Sequence, residues 1–143
     1  MKKEILLFTA IMFFNIQVFA QSVVSTKTGP PGIWQQLGTL NVDSSTLIHD
    51  DFVLTGPAEF RSLKFTATGG DVQVENVNVI YQNGQVDQLN IKYLVPAGGE
   101  SRIIDLKMEM KSGVRKIRRV TVWYQPAEPG NLNHPKLSLW AMK

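Results

Sequence analysis

From Ile33 onward the chain is cut by turn-forming residues at nearly even intervals. Asp43-Ser44-Ser45, Thr55-Gly56-Pro57, Gly69-Gly70-Asp71, Asn83-Gly84, Pro96-Ala97-Gly98-Gly99, Ser112-Gly113 and Pro126 to Pro135 separate runs rich in Val, Ile, Leu, Thr, Phe and Tyr. Short β-type runs broken about every 8–12 residues argue for an all-β sandwich or barrel. No window carries a sustained apolar stripe at helical spacing. Eight strands are expected, at about 33–42, 46–54, 60–67, 72–82, 86–95, 101–109, 115–125 and 136–142. The expected fold is all-β, an antiparallel β-sandwich of about eight strands, jelly-roll-like, filling residues 33–143.

Alternation of period two sets the faces. Leu63, Phe65 and Ala67 share one face, as do Leu89, Ile91, Tyr93 and Val95. Val120, Val122 and Tyr124 share another, and so do Leu137, Leu139 and Ala141. One run breaks phase: Val72 and Val74 are followed by Val77, Val79 and Tyr81 on the opposite parity. A bulge at Glu75-Asn76 absorbs the extra residue and keeps all five inside. Asn83-Gly84 suits a type I′ hairpin turn, so 72–82 and 86–95 should pair antiparallel.

The first twenty residues read as a signal peptide rather than as fold. Lys2-Lys3 precede the apolar stretch from Ile5 to Phe14, and Val18-Phe19-Ala20 suits a cut before Gln21. The stretch from Ile5 to Ala20 is shorter than a spanning helix and is interrupted by Asn15 and Gln17. The expectation is a cleaved signal at 1–20 and a periplasmic or secreted product with no stable membrane span. Residues 21–32, with Gly29-Pro30-Pro31-Gly32, read as a flexible leader. Beyond Ala20 there are 13 Lys and Arg against 11 Asp and Glu, which is no nucleic-acid footprint. The absence of cysteine excludes disulfides, thiolate metal sites and a thiol nucleophile. The core alone must hold the fold.

No catalytic or cofactor motif is present. There is no G-x-S-x-G, no Walker A loop and no G-x-G-x-x-G. His49-Asp50-Asp51 groups possible metal ligands, but successive strand residues face opposite ways, so no metal site is expected. Glu59, Glu75, Glu100, Glu109 and Glu128 are scattered and mostly near turns. A hydrolase would need two carboxylates facing each other across a cleft.

The basic run Arg115-Lys116-Ile117-Arg118-Arg119 is the densest chemical feature. With Arg102, Lys107 and Lys111 it holds seven of the 13 positive charges beyond Ala20. Plain alternation places Arg118 on the Val120 and Val122 face, where an unpaired charge would be prohibitive. Asp105 is the expected partner of Arg118 or Arg119, at the sandwich rim. The cluster reads either as that ion pair with solvated edge charges, or as an anion-binding patch flanked by Trp123. Trp140 lies on the parity opposite Leu137, Leu139 and Ala141, so an exposed outer face would make it a sugar-stacking or protein-docking platform.

Ordered motifs suggest relatives. A tryptophan precedes Leu37-Gly38. Then come Asp51-Phe52-Val53, Phe60-Arg61-Ser62-Leu63-Lys64, Val77-x-Val79-x-Tyr81-x-Asn83-Gly84, Gly99-Glu100-Ser101-Arg102-Ile103-Ile104-Asp105-Leu106 and Arg115-x-Ile117-x-Arg119-Val120-x-x-Trp123-Tyr124. Over about 33–142 the chain resembles a bacterial family of small exported β-sandwich proteins classed as a domain of unknown function. The resemblance implies fold and export and no reaction. The functional expectation is a non-enzymatic binding or interaction module of the bacterial envelope, with no cofactor. Its partner would be an anionic glycan or an envelope protein, met by Arg102, Asp105, Arg115, Arg118, Arg119, Trp123 and Trp140. The alternatives are a hydrolase of envelope polymers using a carboxylate pair, and a structural packing subunit.

Overall fold

In a computed structural model the described residues are 21–25, 32–42, 46–56, 58–106, 115–128 and 133–143, with the backbone alone for 21–25 and for Arg115. The expected signal peptide lies outside them. The described chain is strand and turn without helix. In order the strands are β1 (Gln21–Ser25), β2 (Trp34–Asn41), β3 (Ile48–Thr55), β4 (Glu59–Phe60), β5 (Ser62–Thr68), β6 (Val72–Tyr81), β7 (Val86–Gln88), β8 (Tyr93–Val95), β9 (Ile104–Asp105), β10 (Arg115–Pro126) and β11 (Lys136–Met142). They form two sheets. One has the order β1-β3-β10-β6-β7, with β4 also on β10 and β8 also on β6; the other has the order β2-β11-β5-β9. All pairs are antiparallel except β1 with β3.

The inner faces of the two sheets bury one continuous core. Leu63, Phe65, Leu137, Leu139 and Ala141 from the smaller sheet meet Phe52, Val72, Val74, Val77, Val79, Val120, Val122 and Tyr124 from the larger. Each fully buried Val, Leu or Phe contributes roughly 1.5–3 kcal/mol, which is how a fold this size stands without covalent staples. Leu89, Ile91 and Tyr93 pack against this core from the side.

Bulges keep the apolar sets inside. On β6, Trp123 pairs with Asn76 and Tyr124 with Val74, so Glu75 is the extra residue and both valine sets face inward, as expected. A second bulge lies on β10, where Ile117 pairs with Tyr81 and Arg119 with Ile80. Arg118 is the unpaired residue and is exposed, while Ile117 and Val120 are both buried. This corrects the expectation that Arg118 shares the Val120 face: turning the charge outward avoids its desolvation altogether. A third bulge at Leu37 lets Leu37 and Leu40 both face the core.

Other expectations change in detail. The Asn83-Gly84 turn is not a two-residue type I′ turn. Tyr81 O accepts from Gly84 N at 3.0 Å, Tyr81 N donates to Gln85 O at 2.9 Å, and of the two residues only Gly84 has positive φ (86°). This is a three-residue loop closed by a glycine bulge, which fits the strand twist equally well. The expected strand 86–95 divides into β7 and β8 around Asn90, at φ 33°: the intervening segment 89–92 holds one residue more than the stretch of β6 it spans, so the two halves pair in registers one residue apart. The expected strand 60–67 divides at Arg61, and only Ile104–Asp105 of 101–109 is strand, with 107–109 outside the described residues. Gln21–Ser25, expected within a leader, is a strand: its β-prone run satisfies the edge of β3.

Candidate functional site

The structure separates the residues singled out by sequence onto two faces. β10 is central in the larger sheet, between β3 and β6, so its charges do not line a rim. Its outward residues are Arg119, Thr121 and Trp123. Arg119 Nη1 lies 3.8 Å from Asp51 Oδ2, and Thr121 Oγ1 donates to Asp51 Oδ1 at 2.6 Å. Trp123 stacks at a tilt of 32° on His49, with centroids 5.7 Å apart. The partner of Arg119 is thus Asp51, not Asp105, because β3 is the hydrogen-bonded neighbour of β10 while β9 belongs to the other sheet. Asp105 instead accepts from Ser62 Oγ at 2.8 Å. Arg102 is exposed; its Nε and Nη2 donate to Tyr93 Oη at 3.0 and 2.7 Å, and its guanidinium lies 5.0 Å from that ring. Arg115 pairs through its backbone with Phe60.

His49, Asp50 and Asp51 alternate faces, as the strand geometry requires. Asp50 points inward, where the Tyr124 hydroxyl donates to its carboxylate. Among the described residues no group of three or more His, Cys, Asp or Glu is placed to hold a metal ion. An open cleft of about 370 Å³ is lined by Gly69, Gly70, Asp71, Ala97, Glu128 and Asn133. Its Asp71 braces the loops, with Oδ1 accepting from Ala97 N at 2.8 Å and the main-chain oxygen accepting from Ala127 N at 3.0 Å.

The outer face of the smaller sheet assembles a richer array. Register places Trp140 of β11 between Gln36 of β2 and Lys64 of β5. Lys64 Nζ sits 4.4 Å from the Trp34 ring centroid and 5.9 Å from that of Trp140. The same ammonium donates to Glu100 Oε1 at 2.9 Å. Trp140 Nε1 donates to Thr66 Oγ1 at 2.9 Å, which fixes its indole. Beside the rings, Gln36 Nε2 donates to Thr39 Oγ1 at 2.9 Å, and the Thr39 and Ser138 hydroxyls share a hydrogen bond of the same length. Two half-buried indoles, a row of neutral donors and acceptors, and an ammonium within 6 Å of both ring centroids therefore share one sheet face. The outward parity of Trp140 was legible in the sequence. Trp34, Lys64 and Glu100 were missed, because only the strand order brings them together.

A family model for a domain of unknown function, DUF2541, matches residues 6–141. The chain belongs to the DUF2541 family. This agrees with the resemblance read from the ordered motifs at the level of a family without an assigned activity. No curated protein matches this DUF2541 chain. Among solved structures, AlgX of Pseudomonas aeruginosa is similar at 13% identity and TM-score 0.38, over 70% of this chain and 26% of that one. The structure of infectious bursal disease virus, Gt strain, is similar at 15% identity and TM-score 0.28, over 82% of this chain and 28% of that one. The DUF2541 chain thus spans little more than a quarter of either.

Proposed function

We propose that this DUF2541 domain is a non-enzymatic module of the bacterial envelope that binds glycan chains on the outer face of its β2-β11-β5-β9 sheet. The observation that carries the reading is the placement of Trp34 and Trp140 on one sheet face, both against Lys64 Nζ and beside Gln36, Thr39 and Ser138. An indole offers an apolar surface to the C–H face of a sugar, while amides and hydroxyls exchange hydrogen bonds with its hydroxyl groups. Side chains on neighbouring strands repeat about every 4.8 Å, the scale on which a glycan chain repeats.

Export rests on the signal-like anatomy of Lys2 to Ala20. The jelly-roll reading is supported by the pairing of β2 with β11, β3 with β10, β5 with β9, and β6 with β7 and β8.

The test is affinity electrophoresis of the processed chain through gels containing soluble polysaccharides. Retardation should fall at least tenfold for Trp34→Ala and Trp140→Ala, and should persist for Trp123→Ala on the opposite sheet. Equal retardation of all three variants, or none for the parent chain on any polysaccharide, would remove the reading.

A further inference from the structure

Among the described residues, Lys64 is the one lysine or arginine that the fold buries. Its side chain is 11% exposed, whereas that of Glu100, its salt-bridge partner at 2.9 Å, is 60% exposed. The pair is therefore asymmetric. Lys64 favours an anion beside it, because a buried charge is costly to leave uncompensated, although the two indole rings offset part of that cost. Glu100 already lies mostly in water and loses little by turning away. It reaches Lys64 from the loop after β8, where Gly98 (φ 75°) and Gly99 lead into the bridge between Glu100 and Thr66. The ammonium is also within 6 Å of both indole centroids.

Building on the glycan reading of this face, we propose that Lys64 selects for a carboxylated sugar and that Glu100 is an internal stand-in for the ligand's carboxylate. A uronic acid ring stacked on Trp34 or Trp140 places its carboxylate at Lys64 Nζ, and Glu100 swings into solvent. Because Glu100 is tethered to the same chain, its effective concentration at Lys64 is high. It sets a threshold that stacking by the sugar must supplement, so neither a free carboxylate nor a neutral chain competes well.

Oligogalacturonate and its methyl ester differ in charge but not in sugar, which makes them the probes of choice for titration calorimetry. The parent chain should bind the acid about tenfold more tightly than the ester, a difference that salt reduces only modestly because one carboxylate replaces another at a partly buried ammonium. Glu100→Gln removes the competitor at an exposed position, so affinity for the acid should rise at least threefold while that for the ester stays level. Lys64→Gln should erase the difference between acid and ester. Weaker or unchanged acid binding by Glu100→Gln overturns the proposal even if Lys64→Gln does not fold. Equal binding of acid and ester that still depends on Trp140 removes the carboxylate selectivity and leaves the glycan face standing. No binding of either probe by any variant, joined to no retardation on any polysaccharide, removes both.

Discussion

Asp51 holds two side chains of β10 at once, accepting from Thr121 and facing Arg119 across 3.8 Å. Thr121 is buried, so removing its acceptor leaves a hydroxyl without a partner away from water. Asp51→Ala should lower stability by about 1–3 kcal/mol in urea unfolding. Asp105→Ala also strands a buried hydroxyl, that of Ser62, and should cost about 1–2 kcal/mol; it costs less than Asp51→Ala because it breaks no ion pair. A larger loss for Asp105 than for Asp51 would contradict this assignment of partners. The chemistry of the arginine was legible in the sequence: Arg119 needs a carboxylate and has one. Which carboxylate was not legible, since Asp51 and Asp105 are separated by strand order, a property no local pattern carries. Inside the core, Tyr124→Phe takes a hydroxyl from the buried Asp50 carboxylate and should destabilise by about 1–3 kcal/mol, a change Asp50→Asn should reduce.

At the level of elements, the bulges decide which residues face water. Glu75 is the extra residue of β6, so deleting it restores a plain alternation through Val72, Val74, Val77, Val79 and Tyr81. Deleting Asn78 instead would throw Val79 and Tyr81 out of phase with the residues before them. Thermal unfolding should rank the Glu75 deletion well above the Asn78 deletion. Equal loss for the two would mean that the bulge itself, not the inward set, stabilises the strand. The Glu75 bulge could be read from parity alone because valines mark both of its sides. The Arg118 bulge was masked by the assumption of unbroken alternation, although an arginine in an apolar series is itself a sign that the series shifts. Asn83-Gly84 gave the hairpin correctly and its loop type incorrectly, since the same two residues serve a two-residue turn or the end of a three-residue one.

Across the whole molecule the pairings are nested. β6 with β7 is innermost, β3 with β10 lies outside it, and β2 with β11 joins residues about a hundred positions apart. Contacts this distant in sequence close slowly, so refolding followed by tryptophan fluorescence should take milliseconds to seconds rather than microseconds. The class of fold was legible because turn spacing and alternation are local. The proposed glycan-binding face was not, since its residues come from β2, β5, β11 and the loop after β8, and only sheet order sets them side by side.

The nested order also bears on biogenesis. β2, among the earliest strands to leave the ribosome, must wait for β11, the last, before its backbone finds a partner. A nascent chain stalled before Lys136 therefore displays an open seam along β2 and β5. Such a chain invites coaggregation and calls for a holdase until its final residues emerge.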